Sequence, residues 1–278
     1  MKRDIEQAVT GARAVDGAGV HLVRVLSYGT TESFDPFLML DAFDSTDPRD
    51  YVAGFPWHPH RGIETVTYLV SGHIEHGDSL GNTGDILDGG CQWMTAGSGI
   101  LHQEMPKASP RMLGLQLWLN LPGKDKMTPP KYNDIRTRDV PEIKEDGMTV
   151  RVISGSFGGK QGFMTGEHVR MTMLDIRMDA GKEFQMLTPQ NETLFTYLMS
   201  GSGFFGVSRQ EMQEKRAVLF TRGDEVAFSA GDRGLRLVLF MGAPLHEPIA
   251  WGGPIVMNTR EELRQAFDEL DRGTFIKK

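Results

Sequence analysis

Two short stretches place metal-ligating side chains two residues apart: His58-Pro59-His60 and His102-Gln103-Glu104. On a β-strand, residues i and i+2 leave the same face, about 7 Å apart along the backbone. Each pair can therefore point into one barrel and converge on a single ion. Three imidazoles and a carboxylate form a borderline nitrogen and oxygen donor set, suited to Fe, Mn, Co, Ni, Cu or Zn and unattractive to Mg or Ca. Around a six-coordinate ion, four such ligands leave two adjacent positions for substrate and O₂. A tetrahedral zinc would be closed by the same four and catalytically silent. A further stretch, His73-Ile74-Glu75-His76, also sets His73 and Glu75 on one face, but between Ser71-Gly72 and Gly77-Asp78 it reads as an exposed hairpin strand. His21, His168 and His246 lack a same-face partner and read as structural or surface histidines.

Such ligands need strands to hold them, and short apolar or β-branched runs recur at residues 20–26, 37–43, 64–70, 91–95 and 112–119. In the last of these, Leu113, Leu115, Leu117 and Leu119 alternate with Gly114, Gln116 and Trp118, the period of two of a strand. The 33 glycines exceed the usual share of about 7% and carry no collagen-like period, so they serve turns between strands. A polar, proline-bearing break covers residues 121–146. Strand-like runs then resume at 148–154, 169–177, 193–199, 216–220, 225–229 and 235–241. Tyr68-Leu69-Val70-Ser71-Gly72 is echoed by Tyr197-Leu198-Met199-Ser200-Gly201, as in a duplication. The expected fold is all-β, two sandwich or jelly-roll barrels over residues 1–133 and 134–278. One helix closes the second: Thr259-Arg260-Glu261-Glu262 fits a capping box, and Leu263, Phe267 and Leu270 follow at helical spacing. Only His168 falls between Met148 and Gly242, so the second barrel is expected to be metal-free.

Net charge excludes some partners. Lysines and arginines number 30 against 37 acids, giving −7, so the surface has no reason to seek nucleic acid or anionic lipid. The single cysteine, Cys91, rules out an intrachain disulfide and reads as a small buried hydrophobe. No apolar run approaches a membrane span, and the first residues lack a signal-peptide core. A cytoplasmic protein is the expectation.

The blocks His58-Pro59-His60-Arg61-Gly62-Ile63-Glu64-Thr65-Val66-Thr67-Tyr68, Asp78-Ser79-Leu80-Gly81-Asn82 and Gln92 to Pro106 resemble the signature of the pirin family of bicupins. Gly114 to Pro122, Val152-Ile153-Ser154-Gly155 and Gly253 to Thr259 extend the resemblance over nearly the whole chain. It implies two cupin barrels and an N-terminal metal site, usually iron, held by His58, His60, His102 and Glu104. It further implies quercetin 2,3-dioxygenase-like activity, as in several bacterial members, or a non-catalytic metal- and redox-sensing role that binds a transcription regulator or metabolic enzyme. Under the first reading a flavonol coordinates Fe(II), O₂ joins it, carbon monoxide leaves, and Glu104 serves as both ligand and general base. Glu64 is a ligand in many other cupins. It is expected here to be a supporting residue, on the face of His58 and His60 unless a bulge intervenes. Phe37, Met39, Val66, Tyr68, Met94 and Leu117 are candidate pocket walls, and Arg61, Gln92 and Gln116 candidate polar contacts. The segment from Asp44 to Trp57 departs from the family's glycine-rich approach to His58, which bears on substrate preference.

Overall fold

The computed structural model describes residues 1–277 and is built almost wholly of antiparallel strands with one α-helix. Two compact units emerge, neither continuous in sequence. One contains Ala12–Glu32, Phe37–Thr137 and the chain from Leu245 onward; the other contains Met1–Gly11, Ser33–Pro36 and Arg138–Pro244. A single cut between residues 133 and 134 therefore does not describe them. The reason is long-range pairing. Ile5–Thr10 joins Arg216–Phe220, which draws the N-terminus into the second unit. The helix Arg260–Asp271 packs Ala266 against Ile255, Met257 and Phe275 in the first unit, so it does not close the second barrel. Its capping box is present, with Thr259 and Glu262 each accepting the other's backbone N–H.

In the first unit a seven-stranded sheet runs Lys131–Ile135, Cys91–Thr95, Ile63–Ser71, Met112–Asn120, Phe37–Ser45, Val20–Leu26, Ala12–Asp16. A four-stranded sheet runs Phe55–His60, Ile100–Pro106, Ile74–Asp78, Thr83–Ile86. Met112–Asn120 is buried along its whole length and hydrogen-bonded on both edges. Alternation then assigns its faces. Gln116 and Trp118 pair with Thr67 and Thr65 on one face, and Leu115 and Leu117 pair with Tyr68 and Val66 on the other. Chain direction changes at Gly62, which has φ +78. A Cβ there would lie 1.9 Å from the Val256 carbonyl oxygen, so only glycine permits both the turn and the approach. The turn carries the backbone from the four-stranded sheet into the seven-stranded one.

The second unit is built on a nine-stranded antiparallel sheet, with a short two-stranded one at Ser156–Phe157 and Lys160–Gln161. Glu225–Gly242 is one long strand where sequence pattern suggests two. Its start pairs with Glu183–Leu187 and its end with Met171–Met178, which wraps the sheet around a core of Leu174, Leu198, Leu237, Leu239, Phe205 and Phe228. Among the described residues this unit holds one histidine, His168, and no cluster of metal-ligating side chains. No helix among them is long and apolar enough to cross a membrane.

Candidate metal centre

The four-stranded sheet places the two ligand-bearing stretches side by side, with His102 directly opposite His58. The register slips between His102 and Glu104 against that neighbour. Against the Ile74–Asp78 strand it stays regular, pairing His102 with Asp78 and Glu104 with His76. His58, His60 and His102 come together, with ligand atoms all within 4.8 Å of one another. Their ring centroids lie 4.3 Å (His58 to His102), 4.9 Å (His58 to His60) and 5.0 Å (His60 to His102) apart. Glu104 stands outside this 4.8 Å group. Its Oε1 accepts from the Thr67 hydroxyl at 2.9 Å and its Oε2 from Gln116 Nε2 at 2.7 Å. Each carboxylate oxygen keeps a further lone pair, so these bonds orient the group without exhausting it.

Hydrogen bonds decide which ring nitrogens are available. His58 Nδ1 donates to the Pro56 carbonyl at 2.9 Å, and His60 Nδ1 to the Pro254 carbonyl at 3.0 Å. Carbonyls only accept, so each ring carries a proton on Nδ1, and Nε2 is the atom through which it could ligate. His102 is 1% exposed, and neither of its nitrogens has a hydrogen-bond partner. An imidazole buried without partners costs about 1–3 kcal/mol, a penalty that a ligated ion would remove. The donor set therefore fits a borderline transition metal, with His58, His60 and His102 able to hold it and Glu104 beside them.

Burial, reinforced by repulsion from His58, pulls His60 down to about 3. Burial and the neighbouring imidazoles hold His102 well below the usual histidine range. Both stay neutral, as ligation requires, whereas in the unfolded chain they take up protons near pH 6.5. Metal-free protein should therefore have the full contribution of these groups above about pH 6.5 and lose stability as the pH falls toward about 3. Denaturant melts from about pH 7 to about pH 4 measure this, and the slope should flatten in a His60→Gln chain. Native stability independent of pH over that range would contradict it.

Aromatic rings flank the imidazoles. Trp118 meets His60 edge-on at 5.0 Å, and Trp251 lies 5.7 Å from Trp118. The Trp118 Nε1 is buried without a partner and offers a donor. Met39 and Met94 share the Trp118 cluster, but Val66, Tyr68, Leu117 and Phe37 belong to the opposite face of their sheet. Glu64 is on that opposite face too, because the Gly62 turn separates its strand from His58 and His60. Its carboxylate accepts from Trp93 Nε1 at 3.1 Å and from the Thr95 hydroxyl at 2.7 Å. Arg61 is no pocket contact: it is buried and donates to the Ser98 and Phe275 carbonyls.

Gln116, read from the sequence as a candidate polar contact, donates to Glu104, and so does Thr67, which the sequence did not single out. Two further features escaped sequence reasoning. His76, buried, lies with its ring tilted against Tyr132 at 4.7 Å, and the Tyr132 hydroxyl donates to Asp134. Pro254 falls in the Gly253 to Thr259 block, but nothing in the sequence ties it to His60. On the surface, His73 pairs with Asp85 and Glu75 with Lys107, in keeping with an exposed hairpin.

The family model described as Pirin matches residues 19–119, and that described as Pirin C-terminal cupin domain matches residues 173–276. A pirin-like protein of Caulobacter vibrioides is 43% identical over 276 residues, covering 98% of this chain and 99% of its own. Pirin of Homo sapiens is 37% identical over 269 residues, covering 95% of this chain and 91% of its own. The crystal structure of quercetin 2,3-dioxygenase from Acinetobacter baumannii superposes with a TM-score of 0.90 at 31% identity, over 99% of both chains.

Proposed function

The chain belongs to the pirin family, and from that premise we propose that it is a metal-dependent dioxygenase that cleaves quercetin or a related flavonol with O₂ and releases carbon monoxide. The observation that carries this reading is the convergence of His58, His60 and His102, with His102 buried and unpartnered, beside a carboxylate held by Thr67 and Gln116. His58, His60, His102 and Glu104 are the proposed ligands, and Fe(II) the proposed ion, though Mn, Co, Ni, Cu and Zn suit the same donors. Bound there, the ion would supply Lewis acidity toward the flavonol 3-hydroxyl and redox chemistry toward O₂.

The protein's own groups do the rest. Glu104 takes the 3-hydroxyl proton, and the Thr67 and Gln116 bonds hold its carboxylate for that transfer. Trp118 and Trp251 form an aromatic wall next to His60 against which a planar substrate can lie, and Trp118 Nε1 can donate to a substrate oxygen. The quercetin 2,3-dioxygenase name of a structural relative at 31% identity supports the substrate class.

The test is aerobic incubation of the Fe(II)-loaded protein with quercetin. Loss of the flavonol absorption with matching release of carbon monoxide is expected, and metal-stripped protein should do neither. Loaded protein that leaves quercetin intact, or stripped protein with full turnover, would overturn the proposal.

A further inference from the structure

Resting on the metal centre proposed above, we infer that the C-terminal strap from Ala250 to Phe275 is a positioning element of that centre, acting through His60. Of the three converging imidazoles, His58 is oriented by a carbonyl two residues away in its own strand, and His102 by no hydrogen bond. His60 alone depends on a distant segment: Pro254, 194 residues later, accepts its Nδ1–H. That bond selects the tautomer with Nε2 free and sets the ring's direction.

The strap is seated by contacts made immediately beside His60. Val256 N–H donates to the Arg61 carbonyl at 3.1 Å. The Val256 carbonyl sits against Gly62, where no side chain fits, and accepts from Lys126 Nζ at 3.1 Å. Lys126 is itself 1% exposed and ties the same point to the Gly62 carbonyl and to Asn120. Arg61, 2% exposed, locks the far end. Its Nε donates to the Ser98 carbonyl and its Nη2 to the Phe275 carbonyl, both at 2.8 Å. Its Nη1 pairs with Glu269 Oε2 at 2.7 Å, and its guanidinium lies 4.2 Å from the Phe275 ring centre.

A buried guanidinium is tolerated only while its charge and donors are matched. Glu269, on the helix, supplies the charge and two backbone carbonyls supply acceptors. Removing the Glu269 charge should therefore loosen Arg61, then the Arg61–Val256 contact, then the Pro254 carbonyl that aims His60. A helix that merely plugged a barrel end would affect stability and leave the imidazole's orientation alone. Arg61 and Glu269 are thus positioning residues.

The experiment uses the full chain loaded with Co(II), comparing native protein with Glu269→Gln, Glu269→Asp and Phe275→Leu. Three readouts are taken: Co(II) affinity by competition with a chelator, the visible d–d spectrum, and solvent exchange of the paramagnetically shifted His60 ring N–H. Glu269→Gln should bind Co(II) about 10- to 100-fold more weakly, with an altered spectrum and faster N–H exchange. Glu269→Asp should restore part of each, and Phe275→Leu, which keeps the backbone carbonyl, should shift them in the same direction by less. Should Glu269→Gln fail to fold, the Phe275→Leu result decides. Native uptake of Co(II) with all three readouts unchanged in folded variants would overturn the inference alone. Native protein that takes up no Co(II) would overturn the metal centre and the inference with it.

Discussion

Replacing His102 by alanine is expected to abolish metal retention, and flavonol turnover with it, while leaving the metal-free fold close to native stability. The first half follows from geometry. His102 lies between His58 and Asp78 on neighbouring strands, its ring is 4.3 and 5.0 Å from the other two imidazoles, and both nitrogens are unpartnered. Losing one of three converging donors should weaken binding by more than about 100-fold, the upper end of what losing an outer-sphere partner costs. The second half follows from opposing terms of similar size. Truncation leaves a cavity, but it also removes an unsatisfied imidazole that costs about 1–3 kcal/mol. Native protein should gain about 2.7 kcal/mol when free metal stands at 100 times Kd, and the variant should gain almost nothing. Metal analysis after gel filtration, with thermal melts at matched metal concentrations, checks both halves. Stoichiometric metal in the alanine variant would refute the centre as drawn.

Glu104→Gln should lower kcat by about 10²- to 10⁴-fold, the usual worth of a positioned general base. The replacement keeps size and shape but cannot accept the substrate proton. It also creates a local conflict. Both carboxylate oxygens now accept, one from Thr67 and one from Gln116. A glutamine must turn its NH₂ toward one of those donors: facing Gln116 Nε2 the bond is lost, and facing Thr67 it survives only if the hydroxyl reverses to accept, so the orientation is no longer fixed in the same way. Steady-state kinetics with quercetin separate the effects: loss of proton transfer lowers kcat, whereas a mere loss of substrate affinity would raise KM alone. A variant with native kcat would show that Glu104 carries no proton.

Much of the architecture was readable one segment at a time. Runs at 91–95, 148–154 and 216–220 coincide with strands, and the Thr259 and Glu262 cap opens the only α-helix among the described residues. The reason is that alternation, capping chemistry and turn residues act over a few positions, which sequence order preserves. The spacing of His58 with His60, and of His102 with Glu104, belongs to the same local class. It named the three imidazoles that the sheet brings together, and the carboxylate beside them.

What sequence order could not contain was decided by contacts between distant segments. Glu64 was expected on the face of His58 and His60 in the absence of a bulge. The positive φ at Gly62 turns the chain into another sheet and sends Glu64 to Trp93 and Thr95. Residues 225–229 and 235–241 became one strand because each end found a different neighbour to pair with. The helix, adjacent in sequence to the second barrel, belongs to the first unit because Arg61, Glu269 and Phe275 meet there. Local periodicity thus specified which side chains could serve a metal. Register and a single left-handed glycine settled which of them converge, and the distant Pro254 carbonyl selects the tautomer of His60.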